Sequence, residues 1–100
     1  MSKIDALTKN LLYEDVTVIH AAYEDTPRTV AFVSVEKKLT DTEKLETAFM
    51  KTNTIENAWW NNEGVTKMFG GGACRSTSVG DMVLIGTTKY KCEPTGWSVV

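Results

Sequence analysis

The chain has 100 residues, a length that suits one domain with one hydrophobic core. Its 42% hydrophobic and 24% charged residues are the proportions of an ordinary globular protein, which excludes a disordered or fibrous chain. With 11 Lys and Arg against 13 Asp and Glu, the net charge is −2, so binding of duplex nucleic acid through its phosphates is not favoured. We expect a single domain over residues 1–100.

The apolar runs of the sequence are short. Runs such as Met82–Ile85 fall far below the roughly 20 residues of a membrane-spanning helix, and residues 1–10 lack the apolar core of a signal peptide. We therefore expect a cytoplasmic protein without membrane contact. In that compartment Cys74 and Cys92 are expected to be reduced thiols. No Cys-x-x-Cys or paired-His spacing is present, so we expect no metal and no cofactor; a zinc site from both cysteines, His20 and a carboxylate is the alternative.

The first third of the chain predicts a β-hairpin. Residues Ile4–Leu12 place apolar side chains at near-helical spacing, which is typical of a short lead-in helix. The β-branched segment Val16–Tyr23 and the alternating segment Thr29–Val35 then predict two antiparallel strands, joined by a polar loop that contains a proline. In the second strand, the alternation puts Val30 and Phe32 on one face.

The next predicted element is a helix at about residues 40–53. Thr40 and Glu43 have the spacing of a capping box, in which each side chain accepts a hydrogen bond from the backbone amide of the other residue. Leu45 and Phe49 continue one apolar stripe, so this helix is expected to pack on one face of the sheet.

The periodicity disappears over residues 55–78. A loop of this length in a compact domain is usually either functional or wrongly assigned as a loop. Its aromatic residues argue against disorder, so we expect a folded Ω-like excursion. Trp59 and Trp60 are each either a plug of the core or an anchor at the surface. The triplet Gly70–Gly72 lacks the spacing of a P-loop and is interpreted as a flexible loop tip.

The C-terminal segment predicts a β-meander of three strands, at Met82–Ile85, Lys89–Cys92 and Trp97–Val100. Together with the hairpin and the helix, it indicates the α+β class: a small antiparallel sheet with one packed helix. Closure of the same strands into a small, partly open barrel is the alternative. Because so small a sheet leaves its edges uncovered, we expect that homo-oligomers can form through them.

The segment Arg75–Met82, followed by Tyr90-Lys91-Cys92 and Gly96-Trp97, carries a resemblance to a known family. It is similar to the C-terminal end of the YodL-like domains of bacteriophage and plasmid proteins, in which R-S-x-S-x-[GS]-D-[VI] opens a strand and an aromatic hairpin follows. The resemblance implies a phage-like or mobile-element accessory protein. It implies no particular reaction, because that group has none established.

The residues of this motif also have a physical interpretation of their own. Serine hydroxyls at the entrance of a strand satisfy backbone groups, and a carboxylate after a glycine closes a turn by accepting amide hydrogens. Arg75 has two candidate partners, Asp81 and Glu46. We assign structural roles to Ser78, Gly80 and Asp81.

The reactive side chains are dispersed along the sequence. His20 lies in a predicted strand and is expected to be solvent-facing or hydrogen-bonded rather than a general base, because no nucleophile has a recognisable signature beside it. We therefore expect no gathering of reactive groups and no enzyme.

These observations favour a non-enzymatic accessory or binding domain that acts through protein–protein contact. The candidate binding residues are Trp59, Trp60, Arg75, Ser76 and Tyr90. The alternative functions are binding of single-stranded nucleic acid through Trp60, Arg75 and Tyr90, and antirestriction-type mimicry of nucleic acid by the acidic surface.

Overall fold

A computed structural model describes residues 11–54 and 58–100, which form one antiparallel sheet and one α-helix. The strands are β1 (Tyr13–His20), β2 (Arg28–Glu36), β3 (Val65–Lys67), β4 (Met82–Ile85), β5 (Thr88–Cys92) and β6 (Trp97–Val99). Their order in the sheet is β3-β2-β1-β4-β5-β6. The helix, α1, spans Asp41–Thr52, and a 3-10 turn follows at Trp59–Asn61. The α+β class is confirmed, and the sheet is open between its edge strands β3 and β6 rather than closed into a barrel.

The first strand begins and ends earlier than the sequence indicates. It was predicted at Val16–Tyr23 but runs from Tyr13 to His20. It ends there because the backbone amides of Ala21 and Ala22 donate to the carboxylate of Asp81, at 2.8 and 2.9 Å, and so leave the ladder. Most of the predicted lead-in helix lies outside the described residues.

The predicted excursion over residues 55–78 contains a strand that periodicity did not reveal. β3 pairs antiparallel with Ala31–Val33 of β2 and forms one edge of the sheet. Three residues are too few for an alternation to stand out in the sequence. Residues 55–57 of this segment lie outside the described part of the chain.

A β-bulge sets the faces of β2. The register of the β1–β2 pair shifts between Val18 and Ile19, so that β2 carries one extra residue there. As a result Val30 and Ala31 are both fully buried in the core, whereas Phe32 is only half-buried. The prediction that Val30 and Phe32 share a face is therefore wrong, because strict alternation stops at a bulge.

The hydrophobic core lies between α1 and one face of the sheet, which we call the front face. Its fully or almost fully buried side chains are Val16, Val18, Val30, Ala31, Val33, Val35, Leu45, Ala48, Trp59, Phe69 and Val83. Each large aliphatic side chain buried in this way contributes about 1.5–3 kcal/mol, which makes this interface the main source of stability. The opposite face of the sheet is called the back face.

Polar contacts hold α1 in place over the front face. The capping box is confirmed: the Glu43 amide donates to Thr40 Oγ1 at 3.2 Å, and the Thr40 amide donates to Glu43 Oε1 at 2.9 Å. Lys44 on the helix donates to Glu14 Oε1 of β1 at 2.7 Å.

None of the helices that the structure describes is both long enough and apolar enough to span a membrane.

Candidate functional site

The carboxylate of Asp81 is the centre of a buried polar cluster beside the start of β4. It is fully buried and accepts three backbone amides, from Ala21, Ala22 and Ser78, at 2.8–2.9 Å. The guanidinium of Arg75 donates to both carboxylate oxygens, at 2.7 and 2.8 Å. Burial alone raises the pKa of Asp81, but these hydrogen bonds outweigh it and lower the pKa from 3.8 to about 2. Of the two candidate partners of Arg75, the structure therefore places Asp81 against it.

Gly80 meets a steric requirement of the same turn. Its φ is +96°, a left-handed conformation that L side chains rarely adopt. A Cβ atom at this position would lie only 2.9 Å from the Cβ of Ala22. The glycine before Asp81 therefore allows the turn to approach the end of β1 closely.

His20 closes the cluster on the front face and is fully buried. Its Nε2 lies 3.0 Å from the hydroxyl of Thr77 and 4.0 Å from Asp81 Oδ2, and its Nδ1 lies 3.7 Å from Cys74 Sγ. Burial lowers the pKa of His20 from 6.5 to about 4, in spite of the neighbouring carboxylate. The imidazole is therefore neutral at pH 7, and its strand position is hydrogen-bonded rather than solvent-facing.

The expectation that no reactive groups gather is wrong, because a thiol, an imidazole and an ionised carboxylate meet here. Burial raises the pKa of the Cys74 thiol, although Arg28 Nη2 lies 3.5 Å from its sulfur. A catalytic Cys–His pair needs the opposite shift, a thiol whose pKa is lowered so that the nucleophilic thiolate forms. The cluster thus has the arrangement of such a pair, but its imidazole is neutral and the pKa of its thiol is raised in spite of the nearby Arg28 guanidinium.

The remaining chemistry of the described residues is sparse. Cys74 and Cys92 are both free thiols, and Cys92 points to the backbone carbonyl of Glu93 rather than to His20. No group of three or more His, Cys, Asp and Glu side chains in residues 11–54 and 58–100 could hold a metal ion. Two surface cavities of about 500 and 540 Å³ surround Tyr13 and Ser34, at the other end of β1 from His20.

The two adjacent tryptophans have different environments. Trp59 is 1% exposed, and its indole nitrogen donates to the carbonyls of Cys74 and Arg75. Trp60 is half-buried, and its ring packs edge-on against Trp59 and Phe69, at centroid distances of 5.5 and 5.3 Å. Trp59 is therefore a core residue, and Trp60 covers it from the side of the surface.

The other candidate binding residues are each engaged in contacts within the chain. Arg75 is held by Asp81, and the hydroxyl of Ser76 donates to the carbonyl of Thr54 at 3.2 Å. The hydroxyl of Tyr90 donates to Asp41 at the start of α1, at 3.1 Å. No hydrogen bond or ring contact joins Arg75, Ser76 or Tyr90 to the Trp60 ring among the described residues, and each of the three has a partner of its own.

Sequence reasoning missed an apolar patch on the back face. The register places Phe32 of β2, Thr17 of β1 and Leu84 of β4 side by side, and Ile19 opposite Met82 in the next row. α1 and the 3-10 turn lie on the front face, so neither of them covers these side chains. The patch is defined as Ile19, Phe32, Met82 and Leu84, all of which are half-buried.

One side of this patch is lined by basic residues. Lys89 of β5 is the register partner of Leu84, and Lys91 is the partner of Met82, so both share the back face with the patch. Both lysines are exposed, and Lys91 Nζ lies 3.9 Å from Glu93 Oε1. The signal in the sequence was the alternation of lysines with Tyr90 and Cys92 in β5 beside the apolar run of β4, which could be used only once the pairing with β1 was known.

Comparison of this chain with models of protein families, with curated proteins and with solved structures found no match in any of the three.

Proposed function

We propose that this chain is a non-enzymatic binding domain that acts through protein–protein contact, and that the back face of the sheet is its contact surface. The observation that carries the proposal is the patch of four adjacent apolar side chains on the face opposite α1. Contiguous apolar surface on a small globular protein is characteristic of an interaction site.

The composition of the back face supports this proposal. In an antiparallel sheet with one solvated face, residues that point to solvent are normally polar. Here Ile19, Phe32, Met82 and Leu84 occupy such positions in three neighbouring strands, with Thr17 as the polar residue between them. Aromatic residues and methionine are enriched in the cores of protein interfaces, which fits Phe32 and Met82.

Charge on the same face indicates the chemistry of the partner. Lys89 and Lys91 lie along the β5 side of the patch and give it one positive flank. A partner segment with an apolar ridge and carboxylates along one side would be complementary to both features. We therefore assign to this face a protein segment of that kind.

The polar cluster supports the non-enzymatic part of the proposal. Asp81 and Arg75 tie the loop that precedes β4 to the end of β1. The imidazole of His20 is neutral, and burial raises the pKa of the Cys74 thiol instead of lowering it. The resemblance of Arg75–Met82 to YodL-like domains supports a phage or mobile-element setting. A cytoplasmic location, in keeping with two free thiols, and self-association through a sheet edge complete the proposal.

Two designed helical peptides provide the test. They share one leucine face, but one has glutamates along its edge and the other has lysines. Each is titrated into the 15N-labelled chain at low salt, and amide shift changes are mapped onto the sheet. We expect the glutamate peptide to bind at least about tenfold more tightly and to perturb the strands that carry Ile19, Phe32 and Leu84.

Variants and a second probe make the result decisive. Lys89→Glu combined with Lys91→Glu should abolish the preference for the glutamate peptide, whereas Lys38→Glu, which changes an exposed lysine outside these strands, should keep it. Leu84→Asp should abolish binding of both peptides. Binding of neither peptide, or shift changes spread evenly over α1 and the sheet, would overturn the proposal. An oligothymidylate that perturbs the back face at low salt and is released by added salt would favour the nucleic-acid alternative instead.

A further inference from the structure

The two edges of the sheet differ in how they are protected. The edge strand β3 carries Lys67, whose ammonium donates to Gly71 O at 2.6 Å and lies over the ring of Phe69. The other edge strand, β6, consists of Trp97, Ser98 and Val99 and has no charged residue. Because a charged side chain is a common device against pairing of exposed edges, β3 is protected and β6 is not.

The hydrogen-bond pattern shows which backbone groups of β6 point outward. The Val100 amide donates to Lys89 O, and the Glu93 amide donates to Gly96 O, both at 2.9 Å. In an antiparallel ladder, alternate residues bond to the same neighbour, so Ser98 also faces β5. The amides and carbonyls of Trp97 and Val99 therefore point to the open edge.

We propose that β6 pairs with β6 of a second copy of this chain, antiparallel and about a two-fold axis at Ser98. In this register Trp97 lies opposite Val99 of the other copy, twice by symmetry, and their outward amides and carbonyls form four hydrogen bonds. The two sheets then become one sheet that is continuous across both copies.

The side chains suit this register. Trp97 and Val99 alternate with Ser98 and therefore project on the front face, where the Trp97 ring packs edge-on against Phe49 at 6.2 Å. Val99 is 68% exposed, and pairing covers it with the indole of the other copy. Cross-strand pairs of an aromatic and a β-branched residue stabilise antiparallel sheets. Residues 94–100 carry no ionisable side chain, and the carboxylate of Glu93, which precedes them, accepts a hydrogen bond from Ser98 Oγ at 3.0 Å.

The occupant is a second copy because the edge is complementary to itself. Its three residues supply both members of the Trp97–Val99 pair, and the central residue, Ser98, is small enough to face its own symmetry mate. Pairing through three residues buries less surface area than the interface of a stable dimer normally does. We therefore expect a weak association that appears at high protein concentration. The inference deepens the self-association part of the proposed function and does not depend on the back face.

Disulfide trapping tests the register with a matched control. Ser98 and Thr66 are the central residues of the two edge strands. In the proposed pair the two Ser98 Cα atoms are about 4.5 Å apart, which a disulfide can bridge. Under mild oxidation Ser98→Cys should form a linked dimer at least about tenfold faster than Thr66→Cys, with the linkage mapped by mass spectrometry.

Sedimentation velocity tests the association without a crosslink. Val99→Pro removes an outward amide and leaves the β5–β6 ladder intact, whereas Lys67→Pro does the same on the other edge. We expect the unmodified chain and Lys67→Pro to self-associate as concentration rises, and Val99→Pro to stay monomeric. If Val99→Pro lowers the melting temperature, Val99→Lys, which keeps the backbone amide, provides the same test.

A chain that stays monomeric at millimolar concentration, or equal trapping rates at the two edges, would overturn the inference. Association that survives in Val99→Lys would overturn it as well. A monomeric chain that still binds the glutamate peptide on the back face would leave that part of the proposed function standing.

Discussion

Replacement of Asp81 by Asn removes one member of a buried ion pair and keeps the shape of the side chain. The carboxylate accepts hydrogen bonds from three amides and from both terminal nitrogens of Arg75. An asparagine has one acceptor oxygen, and its NH2 group would face donors. Removing one partner of a buried ion pair typically lowers the free energy of unfolding by about 3–5 kcal/mol. The Arg75 side chain is 26% exposed and can still be hydrated, so the lower end of this range applies.

The pKa of Asp81 gives a second measure of the same interaction. A pKa lowered from 3.8 to about 2 corresponds to roughly 2 kcal/mol of preference for the ionised form in the folded state. We therefore expect Asp81→Asn to reduce the free energy of unfolding by about 2–4 kcal/mol.

Urea unfolding at pH 7, followed by tryptophan fluorescence, measures this loss. The matched control is Asp41→Asn, which changes an exposed carboxylate that accepts one hydrogen bond from Tyr90 and should cost about 1 kcal/mol or less. A loss for Asp81→Asn no larger than that of Asp41→Asn would refute the role assigned to the cluster.

Three further substitutions test separate parts of the structure. The pKa of His20 is 6.5 in the unfolded chain and about 4 in the folded chain. The free energy of unfolding should therefore be greatest above pH 6.5 and fall by about 3 kcal/mol towards pH 4. Urea titrations of His20→Gln at pH 7 and at pH 4 should lack this part of the loss. Gly80→Ala forces a side chain into a left-handed turn against Ala22, so it should lower the free energy of unfolding by at least about 2 kcal/mol. A melting temperature equal to that of the unmodified chain would contradict this prediction. Trp60→Ala removes the half-buried ring that packs against Phe69, so it should lower the free energy of unfolding in urea by about 2 kcal/mol. An unchanged free energy of unfolding would place Trp60 outside the aromatic packing.

Local sequence signals were sufficient for the elements whose determinants lie close together in the chain. The capping box of Thr40 and Glu43 located the start of α1, because both partners lie within one helical turn. An apolar run located β4, and alternation located β5 and most of β2. The α+β class followed from these elements together.

Features that depend on distant residues could not be predicted in the same way. β1 ends at His20 because Asp81, about sixty residues away, captures the next two amides. The environments of His20 and Cys74 depend on the same long-range contact. The bulge opposite Val18 is set by strand pairing, which one sequence does not specify.

The back-face patch shows the same limit at the candidate site. Ile19, Phe32 and Leu84 are separated widely in sequence and become neighbours only through the β1–β2 and β1–β4 registers. The tryptophans, in contrast, were conspicuous in the sequence, yet Trp59 belongs to the core. An aromatic residue in a long loop gains more from burial in a small domain than its position suggests.

Methyl relaxation by a soluble paramagnetic agent tests most directly whether the back face is open. The methyl groups of Ile19 and Leu84 should relax several-fold faster than those of Val18 and Val83, which share the same two strands but are fully buried on the front face. Equal protection of all four would mean that the back face is covered in solution, and would contradict its role as a contact surface.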